Sequence, residues 1–94
     1  MNIDIRDSLT LDTGKEYTVI SKITFQGEIH YLLVEKGSGL NRNIKLCKMY
    51  GEANLQIITD NELNSILMPL FIEKSMKQLT PDEFKMLEDV MTDN

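Results

Sequence analysis

The hydrophobic period of this chain changes at Thr59. Before it, apolar residues alternate or run in short blocks separated by glycine-containing turns, as strands do; after it they recur at three- and four-residue spacing behind capping residues, as helices do. A run of strands followed by a run of helices segregates the two kinds of element, so the order predicts an α+β fold. Ninety-four residues fit one domain, 1–94, with a β-meander over 1–59 and an acidic helical region over 60–94.

Charge divides at the same place. Residues 1–59 carry seven acids and seven bases, whereas residues 60–94 carry eight acids and three bases, so the net charge of −5 sits in the helical half. With 41% apolar and 27% charged residues, the composition is that of an ordinary globular protein. A lone cysteine, Cys47, forms no internal disulfide. The start, Met1 to Asp7, has acids where a signal peptide has bases, and the longest apolar run, Ile66 to Ile72 around Pro69, is far below the ~20 residues that span a bilayer. The expectation is a cytoplasmic protein with no membrane partner.

Ser8 to Leu11 reads as a short strand, and Asp12-Thr13-Gly14-Lys15 as a turn in which Gly14 takes positive φ. From Glu16 to Phe25 the odd positions Tyr17, Val19, Ile23 and Phe25 are apolar, Ser21 excepted, which predicts a strand with one buried face. Gln26-Gly27-Glu28 makes the next tight turn. Ile29 to Val34 is apolar on both parities, as the central strand of a covered sheet is. The glycines of 36–42 predict an exposed loop, and Ile44–Met49 and Asn54–Ile58 two further strands joined through 50–53. Five short strands with tight turns predict a meander curled into a small SH3-like barrel or half-barrel.

Thr59-Asp60-Asn61-Glu62 has the spacing of a capping box, with Leu63, Ile66, Leu67 and Leu70 behind it on one helical face. Pro69 predicts a break or kink near Met68, because proline removes a helical hydrogen bond and clashes with the preceding turn. Thr80-Pro81-Asp82-Glu83 opens a second helix, with proline at the first helical position and acids at the positive helix end. On it Phe84, Met86, Leu87, Val90 and Met91 share one arc, with Lys85, Glu88, Asp89 and Asp93 opposite.

No catalytic constellation is legible. His30, the sole histidine, has no motif partner, and both it and Cys47 read as structural. One histidine and one cysteine make no zinc site, the acids Asp82, Glu83 and Asp89 lack EF-hand spacing, and no cofactor motif is present. Gly37-Ser38-Gly39 leads into a strand and not a helix, unlike a phosphate loop. Lys36, Arg42, Lys45 and Lys48 are placed to make a basic edge of the kind small barrels use on nucleic acid, although the aromatics fall on core parities and the net charge repels phosphate.

The segment Leu11-Asp12-x-Gly14-Lys15-Glu16-Tyr17-x-Val19-Ile20, followed by Gly27-x-x-x-Tyr31-Leu32-Leu33-Val34, resembles small uncharacterised Gram-positive bacterial proteins grouped as a domain of unknown function, over less than a third of the chain. The resemblance implies a hairpin leading into a Tyr-Leu-rich strand of a meander, and brings no activity or site residue.

The expectation is therefore a non-enzymatic interaction or adaptor module without cofactor or metal, using its acidic helical region. Two helical surfaces are apolar enough to dock a protein partner or a second copy, Ile66 to Ile72 and the second-helix face of Phe84, Leu87, Val90 and Met91 flanked by Glu88 and Asp89. Each has the alternative of covering the sheet. The competing functional readings are a nucleic-acid-associated barrel using Lys36, Arg42, Lys45 and Lys48, and an acidic decoy that inhibits a basic partner.

Overall fold

The computed structural model describes residues 3–37, 43–50 and 54–93. These form strands β1 (Ser8–Thr10), β2 (Glu16–Phe25), β3 (Glu28–Glu35), β4 (Ile44–Tyr50) and β5 (Asn54–Ile57), then helices α1 (Asn61–Gln78) and α2 (Pro81–Asp93). The strands pair antiparallel in chain order, so the two-sided apolar strand β3 is central. The loop expected over 36–42 and the connection over 50–53 fall largely outside the described residues.

Both turns that needed glycine have it. Gly14 takes φ +86° after β1, and the β2–β3 hairpin turns on Gln26 (φ 52°) and Gly27 (φ 78°), the positive-φ pair that matches strand twist in a two-residue turn. The sheet curls. Leu9 on β1 and Leu55 on β5, at opposite edges, pack against the same inner cluster of Tyr17, Val19, Tyr31, Leu33 and Cys47. A gap lined by Leu9 to Thr13 and Asn54 to Ile57 separates those edges, so the result is a half-barrel. The outer face carries a second core in which Ile20, Leu32, Val34 and Leu46 meet Leu67 and Phe71 of α1 and Leu87 and Val90 of α2.

One buried face along β2 was the expectation, and the structure corrects it. Register steps from Val19↔Leu33 to Ser21↔Leu32, which leaves Ile20 as a bulge. A one-residue insertion moves every later side chain to the other face. Tyr17 and Val19 therefore point into the half-barrel, while Ile23 and Phe25 join the helix-side core. Ser21, the exception in the alternation, marks the bulge: its hydroxyl donates to Gln78 Oε1 at 2.9 Å. The Gln78 amide also meets the Lys22 backbone, accepting from its N–H at 3.5 Å and donating to its carbonyl at 3.4 Å. Since β1 pairs with β2 only at 16–18, a side chain from α1 here stands in for the missing neighbour strand.

The caps differ from expectation at one helix and match at the other. Asp60 and not Thr59 is the N-cap of α1: its carboxylate accepts from the N–H groups of Glu62 (2.9 Å) and Leu63 (3.4 Å). A reciprocal box forms at α2, where Glu83 N–H donates to Thr80 Oγ1 at 3.2 Å and Thr80 N–H to Glu83 Oε1 at 2.9 Å. Of the break or kink expected near Met68, the break does not occur, for α1 continues through Pro69 to Gln78. Leu67, Phe71 and Ser75 are buried at four-residue intervals on both sides of the proline, so packing holds one helical course. Pro69 and Ser65 lie on the solvent side, where the carbonyl that loses its helical donor stays accessible to water.

Candidate functional site

The two reactive side chains are built into the scaffold. His30 is buried, with Nδ1 at 3.0 Å from the Glu28 carbonyl, which places the proton on that nitrogen, and its ring meets Phe25 edge-on at 5.8 Å. Burial lowers its pKa from the ordinary value. Cys47 sits opposite Tyr31 in the inner core, and burial pushes its thiol up to about 11. A protonated, enclosed thiol is a poor nucleophile. Among the described residues no three His, Cys, Asp or Glu side chains gather as a metal site needs.

The lysines of the expected basic edge are not brought together. Lys45 and Lys48 are three apart on β4 and so project from opposite faces. Lys48 is held by Glu28 at 2.5 Å and lies over the Tyr50 ring, 4.8 Å from its centroid, while Lys36 pairs with Glu16 at 3.8 Å. Arg42 falls outside the described residues.

The α2 face is core. Leu87 and Val90 are 0% exposed, and Phe84 and Met91 pack beside them with part of each surface left at a small hollow shared with Ile72 and Glu88. As a docking face that set is corrected: two of its four apolar members have no surface to offer. Glu88 and Asp89 stay on the outside. The helix is fixed further by a residue that carried no sequence signal. Arg6, at φ +73°, makes a two-pronged contact with Glu83, Nε to Oε2 at 2.9 Å and Nη2 to Oε1 at 2.8 Å. That guanidinium, with the Thr80 N–H, holds the Glu83 carboxyl down to about 2.

Of the two expected helical surfaces, the one on α1 stays partly uncovered. The apolar residues of α1 are spread around its circumference, yet the sheet covers the side bearing Leu67, Phe71 and Ser75. Ile66 is 49% and Leu70 39% exposed. They form the middle of one four-residue ridge, Glu62-Ile66-Leu70-Lys74, whose members all face solvent. Among the described residues neither Glu62 nor Lys74 has an ion pair. Beside the C-terminal half of the ridge runs a groove lined by Ile23, Thr24 and Leu70 together with the charged residues Lys22, Glu73, Lys74 and Lys77. A larger groove, of about 730 Å³, lies between β4–β5 and the start of α1 and includes Asn64, Ser65 and Met68, with Lys45 its one ionisable side chain among the described residues. Among the described residues neither groove has a histidine or a cysteine in its lining.

Among the described residues no helix is long and apolar enough to cross a membrane. The chain matches no protein-family model, no curated protein and no solved structure.

Proposed function

We propose that this chain is a non-enzymatic protein-interaction module whose contact surface is the outward face of α1, centred on Ile66 and Leu70. The observation that carries the proposal is the exposure of two large aliphatic residues, one helical turn apart, on a helix whose opposite side already fills the core. Fully burying a Leu or Ile side chain is worth roughly 1.5–3 kcal/mol, so leaving two about half exposed side by side forgoes part of that stability, which a partner recovers. Enclosure of His30 and Cys47 supports a binding role over a catalytic one. The acidic helical region thus supplies the interface, through α1 and not through the apolar face of α2.

A photo-crosslinking amino acid tests this. Placed at position 66 in the cells that make the protein, it is expected to yield a discrete protein adduct; at Asp12, on the far hairpin turn, it yields none. Absence of an adduct from position 66, or the same adducts from both positions, contradicts the proposal.

A further inference from the structure

The ridge Glu62-Ile66-Leu70-Lys74 reads acid, aliphatic, aliphatic, base at equal four-residue steps. Reversed in direction it reads base, aliphatic, aliphatic, acid, which is its own electrostatic complement. We propose that the partner of this face is a second copy of the chain, docked antiparallel about a two-fold axis passing between Ile66 and Leu70. The proposal rests on the interaction surface inferred above and specifies its occupant.

The physical case has three parts. Rows of four-residue spacing are among the lines of side chains through which helices meet, and a two-fold axis on such a row sets it alongside its own copy, so two copies of α1 share one contact line. A two-fold axis makes every contact twice, and it sets Ile66 against Leu70 of the second copy and Glu62 against Lys74 of the second copy at both ends. The charges at those ends are free of other ion pairs among the described residues, so pairing across the axis breaks nothing already formed. The groove adds to the fit. In this arrangement the N-terminal half of the second copy's α1 lies over the C-terminal half of the first, where Leu70 and Ile23 line a hollow together with three bases, Lys22, Lys74 and Lys77, and one acid, Glu73. An aliphatic residue entering there, preceded one turn earlier by a glutamate, matches the apolar part of the lining and its excess of bases over acid. One helix crossing is a small interface, so the dimer belongs to the weak, concentration-dependent class.

Charge reversal tests the partner and the register together. Glu62→Lys alone sets lysine against lysine at both ends, and Lys74→Glu alone sets glutamate against glutamate; mixed, the two variants form a heterodimer in which both ends are again opposite in charge. Sedimentation velocity over rising concentration is expected to show wild-type dimerisation, roughly tenfold weaker association for each variant by itself, and recovery in the equimolar mixture. Leu70→Glu is expected to abolish association while the circular dichroism spectrum stays that of the folded chain. A wild type that stays monomeric throughout, or a mixture that associates no better than its components, overturns the proposal. A monomeric wild type whose position-66 photo-adduct contains a different protein removes the second copy and leaves the α1 surface standing, whereas no adduct of either kind removes both.

Discussion

At the scale of single residues, two titrating groups make stability fall with acid, starting from different pH values. Burial lowers the His30 pKa from its ordinary value of 6.5, so the unfolded chain binds that proton more readily than the folded one. Its contribution is complete above pH 6.5 and is lost as pH falls below that value. The Glu83 carboxyl is lowered from 4.5 to about 2, so the stability it supplies is present above pH 4.5 and lost as pH falls toward 2. Urea midpoints measured from pH 7 to pH 2 are expected to fall in both windows. His30→Gln should flatten the upper window, and Glu83→Gln, which keeps the capping geometry with Thr80, should make the lower one shallower. Profiles that coincide with the wild type would show that neither environment is as described. Sequence had marked His30 and Cys47 as structural from the lack of any partner motif, and the structure places both inside. Arg6 was invisible, because its partner is far along the chain and no local pattern announces such a pair.

Elements were legible in proportion to how local their causes are. Strand limits, both positive-φ turns and the Thr80 capping box follow from neighbouring residues, and each stands where the sequence placed it, within a residue or two. Apart from the N-cap of α1, which shifts by one residue from Thr59 to Asp60, the misses came from tertiary causes. Ser21 interrupts the alternation of β2, but only the Gln78 side chain, arriving from α1, explains why the strand bulges there. Pro69 carries a strong local preference against a continuous helix, and burial of Leu67 and Phe71 on either side of it outweighs that preference. For α2 the periodicity identified the apolar face without saying what it meets. Since Leu87 and Val90 lie in the outer core, deleting residues 81–94 is expected to expose the sheet and remove several kcal/mol, enough to unfold a domain of this size under native conditions. A truncated chain that melts as cooperatively as the full one, at the same temperature, would show that α2 is an appendage.

For the whole molecule, the half-barrel has two cores and one helical layer, and the layer is finished on one side only. The inner core is wrapped by the curl of the sheet, with a gap left between its edges, and the outer core is covered by Leu67, Phe71, Leu87 and Val90. The far side of α1 is left with Ile66 and Leu70 in solvent. The central claim is this division of labour, in which the α2 face is structural and the α1 ridge is free for a partner. Urea unfolding of dilute protein tests it by comparing Ile66→Ser/Leu70→Ser with Leu87→Ala. The ridge variant is expected to stay within about 1 kcal/mol of wild type, whereas Leu87→Ala loses about 2–5 kcal/mol. A ridge variant destabilised as much as Leu87→Ala would place Ile66 and Leu70 in the core and contradict the account.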